Sequence, residues 1–154
     1  MLTHFTQKFK GAKIVRSRDP KVWETCDILV DVGGKYEPPK LLDHHQIEFQ
    51  GTYPNYPVRL SSAGLVYLHF PEIIPNIINQ IIEDTKDQLP FKPILTQEIV
   101  DDIREKIYKN FIIYVDANDN GIDKVNEKEF VSVPTTLWSR IAKINPMWWD
   151  ENSN

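Results

Sequence analysis

The sequence predicts an α/β domain built on a mostly parallel sheet flanked by helices. Asp27-Ile28-Leu29-Val30-Asp31-Val32 is apolar without alternation at its centre, the pattern of a strand buried on both faces. Downstream, isoleucines recur at three- and four-residue spacing, the signature of amphipathic helices. The length of 154 residues suits one domain with a sizeable core.

Taken in order, Ala12-Lys13-Ile14-Val15-Arg16 reads as a short β-branched strand, closed by the turn at Asp19-Pro20. Lys21 to Cys26 fits one helical turn. The strand over residues 27–32 ends at Gly33-Gly34, and Tyr36 to Leu42 reads as an irregular hairpin turning at Pro38-Pro39. Ser61-Ser62 offers an N-cap for a helix through His69, after a Pro- and Tyr-containing loop over 50–58. Ile73, Ile74, Ile77, Ile78, Ile81 and Ile82 form a second helical stripe, with Pro75 limiting where it begins. A polar connector follows over 83–93. Thr96 then caps a long helix with Ile99, Ile103, Ile107, Phe111 and Val115 expected on the core side, and Asp102 and Lys106 paired on the polar side. Residues 117–133 read as loop, and Thr135 to Ile144 as a last helix stopped by Asn145-Pro146.

The net charge of −4 argues against a chain-wide cationic clamp and leaves room for a local basic groove. Lys8, Lys10, Lys13, Arg16 and Arg18 precede the first acid, a faintly presequence-like pattern set against the strand reading of the same residues. Cys26 is the single cysteine, which excludes an intrachain disulfide. No run of about 18 apolar residues is present to span a membrane, and lysines interrupt the first apolar cluster, unlike a secretory signal.

Three constellations carry chemistry. Asp31 ends the central strand beside two glycines, at the edge where open α/β sheets collect ligands. Asp43-His44-His45 adds a carboxylate and two imidazoles. Adjacent residues of a strand face opposite ways, so one histidine can ligate while the other meets substrate, and the preceding carboxylate can orient a ring. Imidazole with carboxylate suits manganese, zinc or iron, whereas magnesium prefers oxygen. Asp116 and Asp119, three apart, share a face if the helix continues. The same stretch, Asp116, Asn118, Asn120, Gly121 and Glu127, also matches a calcium-loop pattern, although Asp123 and Lys124 sit poorly in it. Ser61 and Ser62 open a helix and are weak phosphate-binding candidates. Trp138, Trp148 and Trp149 read as packing residues ahead of base-stacking ones.

Four blocks in order resemble the melanocyte-proliferating-gene exonuclease family, formerly described as metal-dependent protein hydrolases and related to the DHH phosphoesterases. They are Ile14-Val15-Arg16-Ser17-Arg18-Asp19-Pro20 through Asp31-Val32-Gly33-Gly34 to Asp43-His44-His45-Gln46; Leu60-Ser61-Ser62-Ala63-Gly64-Leu65-Val66-Tyr67; Tyr108 to Gly121; and Thr135-Thr136-Leu137 to Asn145-Pro146. The resemblance implies an incomplete DHH-phosphoesterase-like domain over residues 1–154. In it Asp31 bridges two metals, His44 ligates one, Asp116 completes a site with Asp119 beside it, Asp43 orients His44, and His45 faces the substrate. It further implies hydrolysis of RNA or another phosphodiester with manganese, or else zinc or magnesium, in nucleus and mitochondrion.

Two departures qualify that expectation. The family opens with a His-x-Asp-Glu motif where this chain has Met1 to Lys8, and it continues into a substrate-binding region. A catalytically incomplete hydrolase is therefore expected, with an uncovered sheet edge available for oligomer formation. The alternatives are a non-catalytic remnant that binds metal or a partner, and a calcium-binding loop at 116–127.

Overall fold

The computed structural model describes residues 1–88 and 94–122, and the residues up to Gly121 pack as one compact unit. Three two-residue strands, β1 (Leu29–Val30), β2 (Tyr36–Glu37) and β3 (Leu41–Leu42), form a sheet in the order β1-β3-β2. β1 pairs with β3 in parallel and β2 with β3 antiparallel, so the sheet is mixed and not mostly parallel as predicted. The cause is the tight turn after Glu37, which returns the chain directly beside β2 and can only pair it antiparallel. The strand expected over residues 12–16 is absent. This stretch is irregular, its one backbone–backbone hydrogen bond among the described residues is the turn from the Ala12 N–H to the Phe9 carbonyl, and Ile14 is 72% and Val15 47% exposed. A strand exists only through pairing, and here no ladder partner is at hand.

Among the described residues the α-helices are α1 (Leu2–Phe5), α2 (Pro20–Trp23), α3 (Ser62–His69), α4 (Ile73–Asp84), α5 (Gln97–Ile107) and α6 (Ile113–Asp119), with α3 packed on β3. Their starts follow the capping chemistry read from the sequence. Asp19 accepts from the Lys21 N–H, Ser61 from Gly64 and Thr96 from Ile99. One π-helical turn, Tyr108–Ile112, joins α5 to α6 without a break.

The long helix buries a different row from the predicted one. Ile99 and Phe111 are 42% and 47% exposed, while Val100, Tyr108, Ile112, Ile113, Asp116 and Ala117 face the core. A four-residue step overshoots a 3.6-residue turn, so a four-spaced row drifts round the helix, and neighbouring rows compete for the core. Tyr108 decides the competition. It is fully buried, stacks on Tyr53 at 3.9 Å, and donates to Asp116 Oδ2 at 2.9 Å. Arg104 on the same row is held by the Tyr67 and Leu68 carbonyls, and its own carbonyl accepts from the Tyr67 hydroxyl, latching α5 to α3. The expected helix over 135–144, the tryptophans 138, 148 and 149, and residues 123–127 lie outside the described residues.

α3 and α6 pack face to face at Gly64. A Cβ there would sit 2.7 Å from Asp116 Oδ2 and 2.7 Å from Leu60 Cδ2, and closer still to Asp116 Oδ1. Gly64→Ala should therefore destabilise the protein by about 1–3 kcal/mol through overpacking, despite alanine's better helix propensity. Urea denaturation reads this directly, and a stabilised variant would mean that the α3–α6 contact is looser than described.

Candidate metal centre

Strand register brings the first two carboxylates together. Leu29 lies opposite Leu41 and Val30 opposite Leu42. Each strand ends one residue later in an aspartate, so Asp31 and Asp43 leave the carboxyl ends of adjacent parallel strands, whose backbones run about 4.8 Å apart. Asp31 is anchored by its N–H to the Leu42 carbonyl at 3.1 Å, adopts φ 66°, and turns out a side chain that is 61% exposed. That left-handed conformation costs a side-chain-bearing residue about 1–2 kcal/mol, less for aspartate than for most.

Asp43 points inward. Its Oδ2 accepts the Gly34 N–H at 2.7 Å, and its Oδ1 meets the N–H and the Nδ1 of His45 at 3.1 and 2.6 Å. Gly34 presents that amide from φ 63°, where glycine is unstrained. The carboxylate expected to orient His44 thus orients His45. The ring of His44 is held by other groups: Nδ1 lies 3.0 Å from Ser62 Oγ and 3.8 Å from Asp31 Oδ1, and Nε2 lies 3.0 Å from Asp119 Oδ2. The two histidines also do not diverge as strand neighbours would. They follow the end of β3, where alternation no longer applies, and their ring centroids are 4.4 Å apart.

One ligand atom from each of Asp31, Asp43, His44 and His45 lies within 4.8 Å of the others. Ligand bonds near 2 Å place donors on one ion within about 4.5 Å of each other, so this set fits a divalent ion with small side-chain rotations. The donor chemistry, imidazole with carboxylate, suits manganese or zinc.

Asp116 does not join the cluster, contrary to expectation. It is completely buried, and its carboxylate accepts the Ser61 N–H at 3.0 Å, the Ser61 hydroxyl at 2.6 Å and the Tyr108 hydroxyl at 2.9 Å. Burial raises its pKa, against those hydrogen bonds, and nearby Asp119 adds to the rise. Ser61 and Ser62, weak phosphate candidates by sequence, direct their hydroxyls to Asp116 and His44. α6 runs through Asp119, so residues 116–119 are helical and do not form the start of a calcium loop. Two supports were not legible in the sequence. The Arg59 guanidinium bonds the His44 carbonyl and, at 3.1 Å, the Gln46 carbonyl. Asn120 ties the end of α6 to the Arg59 carbonyl at 2.9 Å.

The Asp43–His45 pair gives a pH signature. Burial opposes the Asp43 charge, but the His45 ring and the Gly34 and His45 N–H groups outweigh it and hold its carboxyl below the usual range. The bond to Asp43 raises His45 above ordinary histidine, against burial, with Asp31 and Asp119 adding to the rise. The histidine's contribution to stability is full below about pH 6.5 and is lost as pH rises through its raised folded value. The aspartate's contribution is full above about pH 3.9 and is lost as pH falls through its depressed folded value. The metal-free protein should gain most from the pair between roughly pH 4 and 6.5. Histidine NMR titration should show His45 raised and Asp43→Asn returning it to about 6.5 or below; an ordinary His45 in both proteins would refute the pairing. Asp116→Ala, which strands the buried Ser61 N–H and Tyr108 hydroxyl, should cost about 2–4 kcal/mol in urea denaturation, and Asp116→Asn less. Equal costs would mean that the acceptor is dispensable.

The family model named MYG1_exonuc, described as an uncharacterised protein family (UPF0160), matches residues 1–154. The chain is 40% identical over 154 residues to the MYG1 protein of Schizosaccharomyces pombe, covering 96% of this chain and 43% of that protein. It is 40% identical over 162 residues to the MYG1 exonuclease of Mus musculus, covering 99% and 39%. To the MYG1 exonuclease of Homo sapiens it is 38% identical over 156 residues, covering 96% and 38%. The chain thus spans about two fifths of the length of these relatives. No solved structure matches it. A match over the whole sequence, together with these identities, makes the chain a member of the MYG1 exonuclease family.

Proposed function

We propose that these residues form a metal centre of a phosphodiester hydrolase of the RNA exonuclease type, arranged as in the DHH phosphoesterases. The observation that carries the proposal is the gathering of Asp31, Asp43, His44 and His45 within 4.8 Å at the carboxyl ends of two parallel strands. Relatives named exonuclease support the reaction class.

In this reading Asp31 and His44 of that set hold the ion, manganese ahead of zinc or magnesium, with Asp119 beside them against His44 Nε2. A bound divalent ion supplies Lewis acidity toward the phosphoryl oxygens and an activated water. Ser62 and the Arg59-braced backbone fix the His44 ring. Asp43 keeps His45 oriented and raises its pKa through their hydrogen bond, and the 61% exposed side chain is available to hydrogen-bond a phosphate oxygen or a leaving group. Asp116 is a positioning residue that secures the start of α3, and with it Ser62.

Titration calorimetry should show manganese bound more tightly than calcium. Asp31→Ala and His44→Ala should each weaken manganese by at least about tenfold, while Glu127→Ala leaves it unchanged. Calcium binding abolished by Glu127→Ala and untouched by Asp31→Ala would overturn the site. Bimetallic hydrolysis divides nucleophile and charge between two ions, and the described ligands suffice for one. The 154-residue chain should therefore degrade labelled RNA only weakly. An added upstream His-x-Asp-Glu segment should confer manganese-dependent hydrolysis that His44→Ala removes. Fast degradation by the unextended chain, lost in Asp31→Ala, would show that one centre is enough.

A further inference from the structure

The charge of this chain is divided unevenly. Residues 1–21 carry six lysines and arginines against Asp19 alone, a charge of +5, while the remainder carries −9. Such asymmetry marks a segment that meets a polyanion. The environment of these cations separates them from ordinary surface lysines. Downstream, Lys86 just past α4 pairs with Glu83 at 2.5 Å, and Lys106 on α5 pairs with Asp102 at 2.7 Å. Among the described residues Lys10, Lys13, Arg16 and Arg18 have no acidic partner.

The segment that carries them is irregular yet pinned at both ends. On one side Gly11 N–H donates to the Thr3 carbonyl and Ala12 N–H to that of Phe9, each at 3.0 Å. On the other the indole N–H of Trp23 donates to the Ser17 carbonyl at 2.8 Å. This bond sets a half-buried aromatic ring beside the residue between Arg16 and Arg18. Ile14, 72% exposed, and Val15, 47% exposed, place apolar surface between the charges. Unpaired cations tracking a backbone, with a flat ring and apolar surface beside them, are the elements with which proteins hold single-stranded nucleic acid without reading its sequence.

We propose that residues 10–23 form a binding arm for single-stranded nucleic acid, in which Lys13, Arg16 and Arg18 contact phosphates and the Trp23 ring offers a stacking face. The proposal deepens the phosphodiesterase reading above and rests on it for the choice of nucleic acid over other polyanions. The physical need is plain: an acidic body with Asp31, Asp43 and Asp119 at its metal centre repels a phosphate backbone, and Arg59 is occupied by backbone carbonyls.

The test is fluorescence anisotropy of a labelled single-stranded oligoribonucleotide with the whole chain in EDTA, where hydrolysis plays no part. Replacing Lys13, Arg16 and Arg18 with glutamine should weaken binding at least about tenfold at low salt. It should also lower the slope of log affinity against log salt by about 2, since each single-strand phosphate contact contributes about 0.7. The three positions are exposed, so circular dichroism should be unchanged. Removing the same charge at Lys86, Lys106 and Lys109 should leave binding intact. Trp23→Ala should bind several-fold more weakly than the parent, and Trp23→Phe, which keeps a flat ring but loses the bond to the Ser17 carbonyl, should lie between them.

Equal losses from both sets of charge removals, or no loss from the first, would overturn the arm. So would arm-dependent binding to phosphatidylserine vesicles without binding to the oligonucleotide, or a change of oligomeric state in the arm variant by sedimentation, which would assign the segment to a membrane or to strand pairing. The two proposals fail separately. Arm-dependent binding by a protein that never binds manganese would sink the metal reading alone, and manganese binding with arm-independent oligonucleotide binding would sink the arm alone.

Discussion

The parallel pairing of β1 with β3 is the constraint on which the candidate centre depends. With Val30 opposite Leu42, the next residue of each strand is an aspartate, and the two carboxylates leave the same edge of the sheet. A slip of one residue would turn one side chain to the other face and separate them. Two-residue strands have little register energy of their own. The register is held from outside the ladder: Asp31 N–H reaches the Leu42 carbonyl, Asp43 N–H the Lys35 carbonyl, and Asp43 Oδ2 the Gly34 amide. Leu42 is fully buried, which fixes the face that β3 presents to α3. Residues of the candidate centre are therefore also ones that keep the sheet in register, and a substitution at Asp43 reaches both.

A second carboxylate organises the helical half. Asp116 carries a group that prefers water into full burial, and this is tolerable only because three donors converge on it. Ser61, capping α3, is one partner; Tyr108 in the π turn is the other. A π turn shifts the helix face it interrupts, and here it lies immediately before α6, which brings Asp116 under α3 and leaves Asp119 at the helix end against His44. Gly64 lacks a side chain at the place the carboxylate occupies. Three features distant in sequence, a serine cap, a helical glycine and a π turn, thus follow from one buried acid.

The sequence made some of this legible and concealed the rest for physical reasons. Helix starts at Ser61 and Thr96 were readable because a capping side chain acts on its own neighbours. The apolar run before Asp31 and the Asp43-His44-His45 triplet lie together at the carboxyl ends of β1 and β3. The orientation of the sheet was misjudged because an apolar run reports burial and not the direction of its neighbour. The core row of the long helix was misjudged because the row from Ile99 is the more apolar in sequence, whereas tertiary contact of Tyr108 with Tyr53 and Asp116 selects the row from Val100 that contains Arg104. Arg59 was invisible: an arginine that grips carbonyls leaves no pattern in sequence. The division of labour within Asp43-His44-His45 depended on where the chain leaves the strand, which a two-residue strand moves by enough to change every assignment.

The three carboxylates around His44 each occupy a place that folding alone disfavours. Asp31 holds a left-handed backbone. Asp43 is buried, and its ionisation survives only through directed hydrogen bonds. Asp119 is the last residue of α6, at the negative end of a helix dipole, where an acid costs roughly 0.3–1 kcal/mol. One such residue is an accident that stability can absorb. Asp31 and Asp119 flank the His44 ring and Asp43 holds the neighbouring His45, while the nearby arginine is directed to backbone carbonyls, so negative charge gathers around the two imidazoles. The same local charge works against a phosphate that approaches, and under the two proposals above a bound ion and the basic segment over residues 10–23 would each offset it.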